Sequence, residues 1–190
     1  MNPDDPIAPP DPVALRRGDD AAWRTLVQRW DGPVRAYLHR LGSDSHEAEE
    51  LAAEAFVKAW RARDAIADTN GISTWLFTIA TNLWRNRRRW WTRRLRWILD
   101  TDVEPPLVRD PAPPPDDSAE TDERAASVRR AVAKLPDHLR TPLVLARFEG
   151  RSQQEIAAIL GCTPKVVEHR ISNAIKLLRE TLGPDIREQA

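Results

Sequence analysis

Proline is distributed very unevenly along this chain, and its distribution limits what the chain can fold into. Of the sixteen prolines, five lie within the first twelve residues and six lie between Pro105 and Pro115. Proline has no amide hydrogen to donate, and it disfavours a helical conformation at the residue before it. We therefore expect residues 100–117 to be an extended, solvated linker, so that the chain folds as two separate blocks.

Charge divides the chain at the same places. The 190 residues carry 29 basic and 29 acidic side chains, so the formal net charge is zero. By segment, the net charge is −3 over residues 1–12, +6 over 13–97, −8 over 98–123 and +5 over 124–190. Two basic blocks are thus separated by an acidic spacer. Because the local field decides what a surface attracts, both blocks are candidates for binding nucleic acid.

Both blocks show the spacing of amphipathic helices, and neither shows the alternation that is typical of strands. In the first block, Asp19 or Asp20 can cap a helix that Gly32-Pro33 should interrupt, and another helix begins near Ser73. The clearest apolar stripe lies between them and consists of Ala48, Leu51, Ala52, Ala55, Phe56, Ala59 and Trp60. The sequence therefore predicts an all-α fold.

The second block has the pattern of a helix-turn-helix. Ser152, with Glu155 three residues later, forms a capping box that opens a short helix. Gly161-Cys162-Thr163 forms a tight turn, and Pro164 stands at the first position of a longer helix, where proline is favoured. An ordinary two-helix corner has the same outline. The outward stripe of the longer helix is polar and mostly basic and consists of Lys165, Glu168, His169, Ser172, Lys176 and Arg179.

Arginine and tryptophan are interleaved over residues 84–97. This segment holds seven arginines, four tryptophans and no acidic residue. Arginine attracts phosphate and tryptophan offers a flat stacking face, a combination that is typical of nucleic-acid binding. Two other interpretations stay open. The segment could be a solvated basic face whose tryptophans pack on the core, or an amphipathic segment at an anionic membrane surface.

Several classes of protein are disfavoured by the composition. The single cysteine, Cys162, allows no intrachain disulfide or cysteine-based metal cluster, and the four histidines lack a zinc-like spacing. The N-terminus does not resemble a secretory signal, and no apolar run approaches the roughly 20 residues that span a bilayer. No nucleophile–base pair or glycine-rich phosphate loop is evident. We expect a soluble cytoplasmic protein that needs no cofactor or metal, does not insert into membranes and is not an enzyme.

Three stretches of the chain resemble the extracytoplasmic-function (ECF) sigma factors of bacterial RNA polymerase. Residues 46–60 (HEAEELAAEAFVKAW) and 73–83 (STWLFTIATNL) resemble region 2 of that family, and the stretch from Leu135-Pro136 to Arg179 resembles region 4. The resemblance implies two small helical domains joined by an acidic, proline-rich linker, the second domain containing the helix-turn-helix. The corresponding segments are a tail at 1–12, a domain at 13–97, a linker at 98–123, a domain at 124–184 and a tail at 185–190.

The resemblance also implies a role for each matching surface. An acidic helix would dock on the clamp helices of the largest catalytic polymerase subunit through Glu49, Glu50, Glu54 and Lys58. The helix from Ser73 to about Arg89 would melt and read the −10 promoter element, with Asn82 at a flipped-out base and Trp84, Arg85, Arg87, Arg88 and Arg89 beside it. The helix after Pro164 would read the −35 element through Lys165, Glu168, His169, Arg170, Lys176 and Arg179.

The predicted function is therefore that of a sigma factor, which binds core RNA polymerase and directs initiation at particular promoters. The expected partners are core polymerase, promoter DNA and an anti-sigma factor, since family members are usually held by one. The alternative is a stand-alone helix-turn-helix regulator whose first block serves oligomerisation. Two residues depart from the family pattern: Ala53 replaces a common glutamine of the docking helix, and Glu168 replaces a frequent basic residue of the recognition helix.

Overall fold

The computed structural model of the chain describes residues 10–66, 71–99 and 121–182. Within these ranges it contains eight α-helices, a short 3₁₀ helix at Arg63–Ala65 and no strand, so the prediction of an all-α fold is confirmed. The helices are α1 (Pro12–Arg17), α2 (Asp20–Arg40), α3 (Ser45–Arg61), α4 (Gly71–Leu99), α5 (Thr121–Lys134), α6 (Asp137–Arg147), α7 (Gln153–Leu160) and α8 (Pro164–Leu182).

The chain divides into two compact units. Among the described residues, the first unit holds 10–38, 45–66 and 71–99, and the second holds 121–182 together with the short segment His39–Asp44. The extended linker predicted for residues 100–117 lies outside the described residues. In the described ranges, no helix is long and apolar enough to cross a membrane, and no three acidic, histidine or cysteine side chains cluster in a way that could hold a metal ion.

The core of the first unit is built from one face each of α2, α3 and α4. The predicted stripe of α3 is largely confirmed, because Ala48, Leu51, Ala52, Ala55 and Ala59 are all buried. Four of these five residues are alanines, whose small side chains let α4 pack closely against α3. The hydroxyl of Thr81 donates to the Phe77 carbonyl at 2.6 Å and lies 2.8 Å from the Tyr37 hydroxyl, which can therefore donate to it. These hydrogen bonds satisfy two buried hydroxyl groups.

Helix α2 corrects one prediction from the sequence. Gly32-Pro33 was expected to interrupt the helix, but α2 runs without a break from Asp20 to Arg40 with Pro33 inside it. Proline cannot donate to the carbonyl one turn earlier, and this loss is tolerable because Gly32 and Pro33 lie on the exposed side of the helix, which water can reach. Leu26, Val34 and Leu38 are buried at helical spacing across the proline, so packing outweighs the local preference.

Two features of the helices were not predicted. One is helix α1, which is too short for a helical period to be recognised in the sequence. Asp11 caps this helix by accepting a hydrogen bond from the Val13 amide at 2.9 Å. The Trp23 indole of α2 donates to the Leu15 carbonyl at 2.9 Å and so ties α1 to α2. Helix α4 was expected to end near Arg89 but continues to Leu99. No glycine or proline lies between Gly71 and that end, so nothing in the backbone chemistry stops the helix.

The second unit contains α5 to α8. Its core is formed by Leu139, Leu143, Val144, Leu145, Ile156, Ile159, Val167 and Ala174, all of which are buried. Arg140 is also buried, with a relative exposure of 5%. Its guanidinium donates to the Leu135 carbonyl at 3.1 Å and to the Asp137 carboxylate at 2.7 Å. A buried charge is tolerated only when it is paired and hydrogen-bonded, and these hydrogen bonds meet that requirement. Because both acceptors lie at the turn between α5 and α6, the same hydrogen bonds stabilise that turn.

Candidate docking and nucleic-acid surfaces

The carboxylates predicted for docking lie on one exposed side of α3, opposite its buried stripe. The side chains of Glu49, Glu50 and Glu54 are 61%, 48% and 45% exposed, and that of Lys58 is 50% exposed. We call these four residues the acidic face. None of the four contributes to the apolar core, so the fold itself does not require their charges.

Each carboxylate of the acidic face has a cation nearby. The nitrogen–oxygen distances are 3.6 Å for Glu49 and Arg35, 3.6 Å for Glu54 and Lys58, 3.3 Å for Glu50 and His46, and 3.4 Å for Glu50 and Arg87. Exposed ion pairs of this kind typically contribute about 0.2–1 kcal/mol to stability. The carboxylates can therefore exchange these neighbours for a basic partner at little cost.

An apolar groove between α2 and α3 was missed by the sequence analysis. Phe56 and Trp60 were assigned to the buried stripe, but Phe56 is half-buried, Trp60 is 38% exposed and neighbouring Val57 is 48% exposed. The groove has a volume of about 510 Å³ and is lined by Asp20, Trp23, Arg24, Val27, Gln28, Phe56, Val57 and Trp60. The sequence did contain a sign of this groove. The centre of the α3 stripe is alanine and leucine, whereas the large aromatic residues Phe56 and Trp60 stand at its edge, where another helix need not cover them.

The predicted −10 residues lie along α4. Asn82 is exposed, and its side-chain amide makes no hydrogen bond to any other residue that the structure describes. An amide that is available in this way can both donate to and accept from a base edge. Arg88 and Arg89 are exposed, whereas Arg85 and Arg87 are half-buried.

Trp84 requires a correction. It was predicted to act with these arginines on DNA, but its side chain is only 1% exposed and belongs to the core of the first unit. The Arg88 guanidinium carbon lies 5.8 Å from the centre of the Trp84 ring. A buried indole cannot stack on a base, so Trp84 does not contact DNA. Its burial instead holds α4 against the core of the first unit. Trp84 therefore fits the alternative interpretation of residues 84–97, in which the tryptophans pack on the core.

The predicted helix-turn-helix is present as α7 and α8. The Ser152 hydroxyl oxygen accepts from the Glu155 amide at 3.2 Å, and the Glu155 carboxylate accepts from the Ser152 amide at 2.9 Å. The hydrogen bonds from the Ser152 amide and hydroxyl to that carboxylate lower the pKa of Glu155. Gly161 ends α7 with a φ of 64°, and Thr163 precedes Pro164 at the start of α8. The capping box and the turn are confirmed.

The predicted −35 residues share the outer side of α8. Lys165, Glu168, His169, Lys176 and Arg179 are exposed, and Arg170 is half-buried. Val167 and Ala174 are buried on the opposite side. Lys165 stands three residues before Glu168, within reach of an ion pair, but within the described residues the Glu168 carboxylate forms no ion pair with it. The carboxylate of Glu168 is therefore open to an outside donor.

Known proteins are similar to this chain in both of its units. Residues 26–94 match the family model described as Sigma-70 region 2, and residues 125–178 match the model described as Sigma-70, region 4. The RNA polymerase sigma-H factor of Pseudomonas aeruginosa is 32% identical over 182 residues, which cover 92% of this chain and 93% of that protein. The ECF RNA polymerase sigma factor SigW of Bacillus subtilis is 30% identical over 176 residues, covering 88% and 92%.

A solved structure is similar over much of the chain. The sigma factor RpoE of Bartonella quintana, crystallised in complex with the anti-sigma factor NepR, matches with a TM-score of 0.65 and 26% sequence identity. The match covers 85% of this chain and 97% of that one.

Proposed function

The chain belongs to the extracytoplasmic-function group of the sigma-70 family, and from that premise we propose that it is a dissociable subunit that gives RNA polymerase its promoter specificity. The observation that carries this proposal is the presence of region 2 and region 4 in one chain, in that order. We assign the two domains to residues 13–97 and 124–184, with the acidic linker between them. The chain works in the cytoplasm with the polymerase, which supplies the phosphoryl-transfer chemistry.

Docking on core polymerase is assigned to the acidic face and to the apolar groove beside it. Exposed carboxylates steer and orient a basic partner, while a groove lined by aromatic side chains supplies area that becomes buried on binding. Ala53 is exposed on the same helix. Because alanine cannot replace the amide of the glutamine that is common there, the neighbouring carboxylates and the groove carry the docking in this chain.

The −10 element is assigned to the exposed side of α4. Asn82 contacts a base that has left the duplex, and the basic residues Arg85, Arg87, Arg88 and Arg89 hold the adjoining phosphates. An extruded base is recognised by hydrogen bonds to its edge, which an unengaged amide can supply. Trp84 takes no part in contacting DNA and instead holds α4 in place.

The −35 element is assigned to α8. A helix in the major groove reads bases chiefly through its N-terminal half, which here presents Lys165, Glu168, His169 and Arg170. Lys176 and Arg179 lie further along the helix and contact phosphates, which fix its position without reading sequence.

We also propose that an anti-sigma factor holds this chain inactive. The support is the similar sigma factor from Bartonella quintana, whose structure contains the anti-sigma factor NepR. When the chain is purified under native expression, we expect one protein partner to be recovered with it in stoichiometric amount. Adding core polymerase should displace that partner.

Association with purified core polymerase tests the proposed function. The chain and core are mixed and separated by size, and the chain is expected to migrate with core in a one-to-one complex. A stand-alone regulator has no reason to bind core in the absence of DNA. Migration of the chain entirely on its own, at concentrations where a known sigma factor binds, would therefore favour the regulator.

A further inference from the structure

Two tryptophans on α4 stand outside every role assigned so far. Among the side chains that the structure describes on this helix, Trp84 is the last buried one, and beyond it Trp90 and Trp91 are 45% and 43% exposed. Their ring centres lie 4.9 Å apart with the planes at 77°, an edge-to-face arrangement. Such an arrangement restricts both rings, so each presents its remaining surface in a defined orientation. Two neighbouring half-exposed indoles form an apolar patch that suits a ligand.

The charges around the pair indicate what kind of ligand fits. Positions 85, 87, 88 and 89 are arginines, and no acidic residue lies between Trp84 and Trp97. A ligand must therefore be anionic and must offer flat apolar faces. Nucleic acid has both properties, since its phosphates attract arginine and its bases stack on aromatic rings.

A membrane surface fits the pair less well. An interfacial helix needs a continuous apolar side, in which tryptophans are accompanied by other apolar residues one turn away. One turn before Trp90 stand Asn86 and Arg87, and one turn before Trp91 stand Arg87 and Arg88. One turn after Trp91 stands Leu95, but one turn after Trp90 stand Arg93 and Arg94. Trp90 therefore has polar neighbours both before and after it along the helix, which is the environment of a stacking site rather than of a membrane anchor.

The position of the pair on α4 indicates which bases it can reach. Trp90 follows Asn82 by eight residues, about two helical turns, so the two side chains lie on overlapping sides of α4. From Asn82 to Trp90 the helix rises about 12 Å, the length of three to four bases at roughly 3.4 Å each. A base inside a duplex is covered on both faces by its neighbours, so only an unpaired base can stack on an indole.

We propose that Trp90 is a stacking platform for an unpaired DNA base, on the strand whose extruded base Asn82 contacts, and that Trp91 holds the Trp90 ring in place. This inference rests on the proposed function for the identity of the strand. Trp90 supplies affinity for single-stranded DNA without reading its sequence, because every base has an aromatic face. Trp91 is a positioning residue and acts through its edge-to-face packing on Trp90.

The test is equilibrium binding of the full chain to labelled oligonucleotides over a range of salt concentrations. The probes are a short oligothymidine, a duplex of the same length and vesicles containing phosphatidylserine. Trp90→Ala should weaken oligothymidine binding roughly tenfold with an unchanged salt slope, while duplex binding stays the same. Trp90→Phe should restore most of the affinity, and Trp91→Ala should cause a smaller loss than Trp90→Ala.

Two further variants serve as controls. Arg88→Ala with Arg89→Ala should weaken single-strand and duplex binding alike, and should lower the single-strand salt slope by about 0.7 for each phosphate that these arginines neutralise. Phe148→Ala removes another exposed aromatic ring, 47% exposed in the second unit, and should leave oligothymidine binding unchanged. Equal melting temperatures of the Trp90 and Trp91 variants and wild type would show that the fold is intact.

Three results would overturn the inference. These are unchanged oligothymidine binding by Trp90→Ala, an equal loss on single strand and duplex, or a loss confined to the anionic vesicles. Parallel measurement of core-polymerase binding separates this inference from the proposed function. A wild-type chain that binds core, with a Trp90→Ala variant that binds oligothymidine normally, removes only the inference. A wild-type chain that fails to bind core removes the proposed function, while the oligonucleotide results still decide whether Trp90 stacks.

Discussion

Glu168 is the residue whose proposed role bears most directly on promoter choice. It is exposed near the start of α8, and its carboxylate can accept a hydrogen bond from a cytosine amino group but is repelled by phosphate. We predict that Glu168→Ala changes base preference at one or two positions of the upstream element by about 1–3 kcal/mol. Selection from a randomised upstream element, with each protein bound to core, measures this preference.

Lys176→Ala is the matched control for Glu168, because Lys176 lies two turns later on the same side of the helix. It should weaken binding to all sequences alike and reduce the salt slope by about one. If wild type and Glu168→Ala select the same consensus, Glu168 does not read a base.

Asn82 allows the proposed melting role of α4 to be separated from simple DNA binding. Asn82→Ala removes the amide that can bond to an extruded base, and it disturbs no buried packing because the side chain is exposed. We predict that open-complex formation falls while initial duplex binding is retained. Permanganate reactivity of promoter thymines reports the melted bases, and Asn86→Ala, one turn further on, is the control. Normal reactivity in Asn82→Ala would contradict the prediction.

Single aromatic residues mark the limit of what the sequence predicts. Trp60 and Trp84 both stand at positions compatible with the apolar period, yet Trp84 is 1% exposed and Trp60 is 38% exposed. The period gives the direction in which a side chain points, but burial depends on whether another helix covers that position. Helix α4 turns Trp84 into the core, whereas Trp60 lies at the open edge between α2 and α3, and this arrangement is set by tertiary packing.

At the scale of the element, the start of α7 illustrates a stabilising motif that was predicted from sequence alone. Its capping box depends only on residues three positions apart, so local rules suffice. We predict that Ser152→Ala lowers the free energy of unfolding by about 1 kcal/mol. Thermal melting of the full chain measures the loss, and Ser172→Ala, an exposed serine within α8, should cause little change.

The capping box also predicts a pH dependence. The pKa of Glu155 is lowered by its hydrogen bonds from Ser152, so the carboxylate favours the folded state when it is ionised. This contribution is fully present above the unfolded pKa and is lost as pH falls through the lower, folded value. The stability difference between wild type and Glu155→Gln should therefore shrink between about pH 5 and pH 3. A constant difference over that interval would contradict the assignment.

The acidic face of α3 tests whether an exposed element surface serves binding rather than folding. We predict that Glu50→Lys with Glu54→Lys weakens binding to core polymerase at least tenfold, about 1.4 kcal/mol, because the charges that orient the partner are reversed. The free energy of unfolding should fall by about 3 kcal/mol at most and the chain should stay folded, since three exposed ion pairs are removed and each contributes about 0.2–1 kcal/mol. Asp64→Lys, an exposed carboxylate after α3, is the control, and unchanged core binding by the double variant at moderate salt would refute the docking assignment.

Helix boundaries were predictable where local chemistry sets them. Asp19 was expected as a cap and accepts from the Ala22 amide at 2.9 Å, and Pro164 begins α8 as its position indicated. The break expected at Gly32-Pro33 was wrong because buried side chains on both sides of the proline belong to one continuous core. Local rules therefore succeed at exposed helix ends and fail where long-range packing acts on the same residues.

At the scale of the whole molecule, function depends on having both regions in one chain. Tethering two DNA-reading surfaces raises the effective concentration of the second once the first is bound, so two modest binding surfaces can select one promoter. Residues 100–120, between the end of α4 and the start of α5, have the composition of such a tether, since like charges and prolines favour an extended chain. The division into two basic blocks was predictable because composition alone marks the segment between them.

Transcription in vitro by purified core polymerase tests the central claim most directly. Core is incubated with the chain on DNA carrying an upstream element selected as above, and full-length transcripts are counted. The account predicts a defined start site that appears only when the chain is added, and a strongly reduced yield with the Glu50→Lys, Glu54→Lys variant. Transcription that is unchanged by the chain, or inhibited by it while the chain binds the same DNA alone, would contradict the account and identify a stand-alone regulator.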